Sequence, residues 1–410
     1  MARKRRVVVT GASLAGVRTA RALRDRGFDG EVVLVGAEER LPYDRPPLSK
    51  KLLAGEVPLS GIQLLSRDEA DALDLDLRLG CRASALAPAR RMLALDTGEQ
   101  LRYDDLVIAT GSAARMPTDW EAYAGVHVLR TADDALALRS ALAGSPHVAV
   151  VGGGFIGCEV ASTARGLGCD VTVFEPLAAP MARVLGYEMA LDLAGIPLDA
   201  GVRLRCGAAV ERLEGNERVE RVRLTDGSVV PADVVVVGIG ARPVTDWLSG
   251  SGVSVADGVL CDEHCATSVP DVYAAGDVAR WHNPLFGREM RIEHWTNATE
   301  QGAFVARTIL EGPQSGGYAP VPFVWSDQHG VKLQIAGVPD PSHRVRIVEG
   351  SVAQRRFVAL YERGERTAGV LAVNSPRGMV TYRRRLAQDD AAEGPAGARF
   401  AARPVAQPGD

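Results

Sequence analysis

The sequence predicts an α/β fold, two parallel-sheet units followed by a small α+β domain, and three observations carry that prediction. A strand, tight turn and helix pattern occurs twice; each copy is followed much later by a matching apolar strand; and from residue 321 onward the pattern changes to short strands and one helix. The first copy reads V-V-V-T-G over residues 7–11 and G-A-S-L-A-G from Gly11 to Gly16, then places Val17, Ala20 and Leu23 at helical spacing. The second reads V-A-V-V-G over residues 148–152 and G-G-G-F-I-G from Gly152 to Gly157, with Val160, Ala164 and Leu167 at the same spacing. Each runs into a second apolar strand, residues 31–36 and 170–175. The late strands are D-L-V-I-A-T-G-S over residues 105–112 and D-V-V-V-V-G-I-G-A-R-P over residues 233–243.

A chain of 410 residues, at about 100–200 per domain, is too long for a peptide hormone or a single small binding module. Lys and Arg number 47 against 51 Asp and Glu, a net charge of -4 with the signs interspersed, so no global field steers the protein towards nucleic acid. Hydrophobic residues make up 46% of the chain. Apolar runs are broken by Gly or a charge well before the ~20 residues of a membrane span, which predicts a soluble protein. Arg3-Lys4-Arg5-Arg6 and the valines after it imitate the start of a signal peptide, but the apolar run reaches Gly11 too soon. The six cysteines form no C-x-x-C pair, which suits reduced thiols in a cytoplasm, and no cluster suggests a metal site. Cys261 and Cys265 read as residues flanking a turn.

A single G-x-G-x-x-G is a weak signal, whereas two in the same strand-turn-helix setting point to two Rossmann-like dinucleotide-binding domains. Glycine lets the backbone approach a pyrophosphate, and the helix N-terminus stabilises its charge. Gly11, Ser13 and Gly16 are the candidates in the first turn, where Ser13 replaces the second glycine and should strain the approach without abolishing it. Gly152, Gly154, Ile156 and Gly157 are the candidates in the second, with Gly238 and Gly240 ending its late strand. Glu175 ends the second strand of that unit about 20 residues after Gly152, where a carboxylate accepts hydrogen bonds from the ribose hydroxyls and repels a 2′-phosphate. NADH is therefore expected over NADPH, although Arg183 lies close enough in sequence to keep NADPH open. The equivalent slot of the first unit falls on Gly36, with Glu38 and Glu39 just beyond.

A-T-S-V-P-D-V-Y-A-A-G-D-V over residues 266–278, the L-V-I-A-T-G segment and the order of the two turns resemble the flavoprotein disulfide-reductase superfamily. L-P-Y-D-R-P-P-L-S-K (residues 41–50), E-H-W-T-N-A-T-E-Q-G (293–302) and F-V-W-S-D-Q-H-G (323–330) narrow the resemblance to NADH-dependent, FAD-containing ferredoxin reductases that serve haem monooxygenases and Rieske dioxygenases. It spans about residues 5–385. It implies a glutathione-reductase-like arrangement: an FAD domain at 1–113 and 246–320, an NAD domain at 114–245, and an α+β domain at 321–387 lining the flavin. The Ala-, Gly- and Pro-rich stretch from 388 to 410 is expected to be a mobile tail. The resemblance also implies FAD contacts at Ala15, Arg45, Pro46, Lys50, Ala83, Thr110, Gly111, Arg130, Asp277 and Trp295, with Asp277 on the ribityl chain; Glu38, just past the slot at Gly36, is the ribose candidate.

Superfamily members that reduce disulfides carry a redox cysteine just after the second strand of the FAD unit. Residues 36–59 here contain none. Electrons must then leave the flavin directly for an outside acceptor. The resemblance makes that acceptor a [2Fe-2S] ferredoxin, with any downstream monooxygenase or dioxygenase reached only through it. Lys50, and Glu159 on the first turn of the NAD helix, are expected to pair beside the nicotinamide, and Trp325 to lie near the flavin; these three are the catalytic candidates. His294 reads as structural, since hydride transfer to flavin requires no general base. Acidic ferredoxins need a local basic face, for which Arg288, Arg291, Arg383, Arg384 and Arg385 are candidates against the simpler reading of a solvated surface. The competing functions are an NADH-sensing flavoprotein resembling apoptosis-inducing factor and a rubredoxin reductase.

Overall fold

A computed structural model describes residues 3–391. The strand Arg6–Thr10 lies at the centre of a five-stranded sheet, paired in parallel with Glu31–Gly36 on one side and Asp105–Ile108 on the other. Leu75–Leu79 and Val272–Ala274 extend it at the two edges, also in parallel. Val7, Val8 and Val9 are fully buried on both faces, as a continuous apolar run in a parallel sheet requires. Burying each contributes roughly 1.5–3 kcal/mol.

The second copy repeats this plan. His147–Val151 is central, with Asp170–Glu175 and then Arg203–Cys206 on one side, and Val234–Val237 and then Val126–His127 on the other, every pair parallel. The registers correspond: Val7 faces Val32 and Asp105, while Val148 faces Val171 and Val234. The chain leaves the first unit along Ser112–Ala114 and returns along Ala241–Pro243, and these two short strands pair antiparallel with each other. Because Val272–Ala274 completes the first sheet, that unit is discontinuous in sequence. Its helix Trp295–Glu311 then packs on the first turn's helix, Leu14–Asp25, so closely that a Cβ at Gly302 would lie 2.4 Å from the Ala15 carbonyl oxygen.

From Phe323 the chain builds a five-stranded antiparallel sheet in the order Phe323–Gln328, Val331–Gly337, Arg366–Val373, Arg356–Arg363, Arg344–Ser351. One face packs Leu333, Phe357 and Leu371 against Met181, Leu185 and Met189 of the second unit. The other packs Val358 and Val370 against Met379 and Leu386 of the helix Pro376–Ala391. Pro376 opens that helix where its missing N–H costs nothing. The helix continues past the expected end at Leu386 into the first residues of the expected tail; residues 392–410 lie outside the described ones. Among the described residues no helix is long and apolar enough to cross a membrane, and no group of three or more His, Cys, Asp or Glu side chains could hold a metal ion.

Candidate active site

At the first turn Gly11 has φ +121°, and a Cβ there would sit 2.0 Å from the Ala109 carbonyl oxygen, so only glycine fits between strand, helix and late strand. Ser13 occupies the N-cap of Leu14–Asp25 with φ -120°, extended backbone that any residue adopts. Its hydroxyl makes no cap bond and instead accepts from Arg45 Nε at 3.3 Å. Arg45 also donates through Nη2 to Glu38 Oε1 at 3.0 Å and through Nη1 to the Arg130 carbonyl. The Tyr43 hydroxyl donates to the other Glu38 oxygen and accepts from the Ala132 N–H at 2.8 Å. Burial pushes the Tyr43 phenol up to about 12, so it remains a donor. Burial, and next the neighbouring Arg130 charge, lower Arg45 from its ordinary value. A half-buried cation beside a helix start that carries no acidic residue in its first turn is a setting for an anion.

Others of the expected flavin residues are joined to this network through Arg130. Arg130 donates to Asp277 Oδ2 at 2.9 Å and to the Ser112 carbonyl at 2.8 Å, and the Ser112 hydroxyl reaches the same Asp277 oxygen at 3.0 Å. Thr110 donates to the Val244 carbonyl at 2.8 Å, and Gly111 turns with φ +66° beneath the Arg130 guanidinium. Ala15 packs under Gly276, where a Cβ would approach it to 2.9 Å. Ala83 lies on the strand Ala83–Ala87 against a separate core cluster and joins this network through no hydrogen bond. Trp295 donates from Nε1 to Asp44 at 2.7 Å and meets Trp325 edge-on at 6.0 Å between ring centroids. Trp325 in turn stacks on Phe323 at 6.2 Å. His294 caps the helix Trp295–Glu311, and burial lowers it to about 4, so it stays neutral.

The second turn has the same backbone and a barer surround. Gly152 has φ +105°, and a Cβ there would lie 2.3 Å from the Gly238 carbonyl oxygen, while Gly240 turns with φ +100°. A Cβ at Gly154 would meet nothing within 4 Å, leaving room in front of the helix Phe155–Gly166, whose first turn also lacks an acidic residue. Glu175 is held in place by the N–H groups of Gly153 at 2.8 Å and Leu177 at 3.0 Å. Ile156 and Ile239 are large apolar side chains left 47% and 43% exposed. Arg183 is exposed on the short helix Ala182–Leu185.

Between the turns, Lys50 Nζ lies 2.7 Å from Glu159 Oε2, so the two expected partners meet although they come from different units. Lys50 follows the 3-10 turn Pro46–Ser49 and also donates to the Pro46 carbonyl at 3.3 Å. Glu159 is the fifth residue of Phe155–Gly166, on its second turn rather than its first, because the helix begins only after Gly154. The helix dipole therefore explains little of its position. Glu159 is 3% exposed and takes further hydrogen bonds from the Ser49 and Ser326 hydroxyls. Neither serine was among the sequence candidates, although both stand inside the quoted R-P-P-L-S-K and F-V-W-S-D-Q segments. The adjacent Cys158 directs its thiol to the Gly153 carbonyl, and burial pushes it up to about 12, which leaves it unreactive.

Two of the basic docking candidates are committed internally. Arg291 pairs with Asp257 at 3.1 Å and Glu293 at 2.5 Å. Arg383 lies over the Phe323 ring at 4.9 Å, and burial lowers it from its ordinary value. Arg288, Arg384 and Arg385 are exposed.

Residues 5–302 match the family model for pyridine nucleotide-disulphide oxidoreductases, and residues 323–399 that for the reductase C-terminal domain. The chain is 39% identical over 389 residues to the anthranilate 1,2-dioxygenase system ferredoxin–NAD(+) reductase component of Burkholderia cepacia, covering 93% of each. It is 36% identical to putidaredoxin reductase of Pseudomonas putida, covering 90% of this chain and 89% of that one. Among solved structures, the covalent putidaredoxin reductase–putidaredoxin complex matches with a TM-score of 0.88 at 34% identity, over 94% of both chains. A ferredoxin reductase from Rhodopseudomonas palustris matches with a TM-score of 0.90 at 34% identity, over 94% of this chain and 95% of that one.

Proposed function

The chain belongs to the pyridine nucleotide-disulphide oxidoreductase family, and on that premise we propose that it is an FAD-dependent ferredoxin–NAD(+) reductase. It carries electrons from NADH to a [2Fe-2S] ferredoxin that feeds a haem monooxygenase or Rieske dioxygenase. The balance is one NADH and two oxidised ferredoxins giving NAD+, one proton and two reduced ferredoxins. The observation that carries the reading is the pairing of Lys50 from the first unit with the buried Glu159 of the second at 2.7 Å, next to a Cys158 thiol that burial leaves unreactive. Bound flavin supplies the conversion of a hydride into two single electrons.

The chain's own residues bind and orient. Arg45 and the N-terminus of Leu14–Asp25 receive the FAD pyrophosphate, Asp277 the ribityl chain, and the helix Phe155–Gly166 the NADH pyrophosphate. Glu175, preset by two backbone donors, accepts from the adenosine ribose and repels a 2′-phosphate, which favours NADH. Lys50 would place its positive charge beside bound flavin, where it would stabilise the reduced form. Trp325 stands edge-on to Trp295 on the side of the C-terminal domain. The domain division is read as an FAD domain at 1–113 and 246–320, an NAD domain at 114–245 and a C-terminal domain at 321–387. The compartment is read as the cytoplasm, which suits six unpaired thiols.

The test mixes holoprotein, NADH, a [2Fe-2S] ferredoxin and cytochrome c. Bleaching of the flavin bands followed by ferredoxin-dependent cytochrome reduction is expected. Bleaching without ferredoxin-dependent reduction, or reduction only when rubredoxin replaces ferredoxin, would overturn the acceptor assignment.

A further inference from the structure

The Glu159 carboxylate is served on both oxygens by groups from outside its own unit. Oε2 receives the Ser49 hydroxyl at 2.5 Å and the Lys50 ammonium at 2.7 Å, both from the first unit. Oε1 receives the Ser326 hydroxyl at 2.7 Å, from the first strand of the C-terminal sheet. Each serine has one hydrogen to give, and the surroundings decide where it goes. Gln328 Nε2 donates to Ser326 Oγ at 3.0 Å, and an amide nitrogen cannot accept, so the Ser326 proton is directed to Glu159. For Ser49 the alternative acceptor, the Pro46 carbonyl, is at 3.5 Å.

The same helix face is tied twice more. The His329 N–H donates to Ser162 Oγ at 2.7 Å, and Thr163 Oγ1 donates to the Ser49 carbonyl at 2.7 Å. Glu159, Ser162 and Thr163 stand at the spacing that shares one side of a helix. The C-terminal hairpin and the Pro46–Ser49 turn are thus fastened to one stripe of Phe155–Gly166, with Glu159 at its head.

We propose that Ser326, acting with Ser49, is a positioning residue: its hydroxyl on Oε1 fixes the rotation of the Glu159 carboxylate about its Oε2 contact with Lys50, making the C-terminal domain a working part of the NADH half-reaction. This rests on reading Lys50–Glu159 as the pair beside the nicotinamide. A carboxylate turns about its terminal torsion with little resistance, so with Oε1 released only Oε2 contacts would hold it. Trp325 points to the opposite face of the strand from Ser326, so shortening Ser326 leaves the aromatic contact standing.

The test compares Ser326→Ala, Ser326→Thr and Glu159→Gln as holoproteins in the two half-reactions, flavin bleaching by NADH and ferredoxin reduction by enzyme reduced beforehand with dithionite. A crystal structure of Ser326→Ala reports the Glu159 carboxylate directly. Loss of one hydrogen bond to a buried charge should slow bleaching about tenfold with NADH half-saturation and the ferredoxin step each within about twofold, and Thr should recover most of the rate. The crystal structure should show the carboxylate turned about its Oε2 contacts, with Oε1 displaced from its parent position. If Ser326→Ala bleaches at the parent rate, or loses both half-reactions equally, or keeps the carboxylate in place, the proposal is overturned. If Glu159→Gln slows bleaching while Ser326→Ala does not, the proposal falls and the reading of the pair stands; if Glu159→Gln is also without effect, both fall. Should Ser326→Ala lose its flavin, Ser49→Ala probes the same clamp from Oε2, with the same split between half-reactions expected.

Discussion

Ser13, Arg45, Glu38, Tyr43, Arg130 and Asp277 enclose the first glycine turn in linked hydrogen bonds, whereas Gly154 at the second turn faces open space flanked by the exposed Ile156 and Ile239. The backbones are repeats of one another, down to the positive φ of Gly11 and Gly152. On the proposed function, the first turn would hold a resident cofactor and the second a visiting one. A cofactor that never leaves can be held by many preset contacts, while a cosubstrate that must depart each turnover is better met by few. Identical turns thus do different work according to what stands in front of them.

The largest expected effect attacks what the turns share. Gly11→Ala combines positive φ with a clash against backbone and should cost on the order of 3 kcal/mol or more, read as a lowered melting temperature and lost flavin. Gly154→Ala, with open space and ordinary φ, should change stability by less than about 0.5 kcal/mol while weakening NADH binding. Equal losses for the two variants would break the comparison.

Acid should separate the regions next. His294 is lowered to about 4, so it is neutral in the folded protein while its unfolded counterpart takes a proton near 6.5. The unfolded state binds more protons between those values, and stability is lost as pH falls through that window. The loss from this group is about 2 kcal/mol between pH 7 and 5. Urea midpoints of the parent and of His294→Gln at both pH values measure it, and an unchanged pH slope in the variant would refute the assignment.

Arg45→Ala should raise the dissociation constant for flavin about tenfold, since it removes a charge-assisted anchor, and leave NADH affinity of the reconstituted protein unaltered. Equilibrium dialysis and fluorescence titration read the two constants. The smallest effect sharpens the second region alone: Glu175→Gln keeps shape but loses the charge, so preference for NADH over NADPH should fall about fivefold, read as a ratio of kcat/KM values. A preference that survives would mean that a side chain other than Glu175 repels the 2′-phosphate.

Much of this was legible because both turns announce themselves through local spacing: a buried strand, a glycine turn and a helix lie within a short stretch of chain. The strand Arg366–Val373 was not read. It is covered by the second unit on one face and by Pro376–Ala391 on the other, so its R-T-A-G-V-L-A-V sequence has no alternation to mark it. The Lys50–Glu159 pair was expected only through a resemblance, since nothing local in either segment points to the other. Its serine donors went unseen for the same reason, being contacts between distant parts of the chain. Arg291 and Arg383 illustrate the converse: a basic residue in sequence does not disclose that its charge is spent on Asp257 and Glu293, or laid over Phe323.

The ribbon formed by Ser112–Ala114 and Ala241–Pro243 means that the intervening segment begins and ends at one place. Cutting it out would leave two backbone ends about one strand spacing, roughly 5 Å, apart, a gap that a two-residue reverse turn spans. In genetic terms the inner unit is a cassette seated in a loop of the outer one, a route by which a duplicated gene fragment can be accommodated without disturbing the sheet that hosts it.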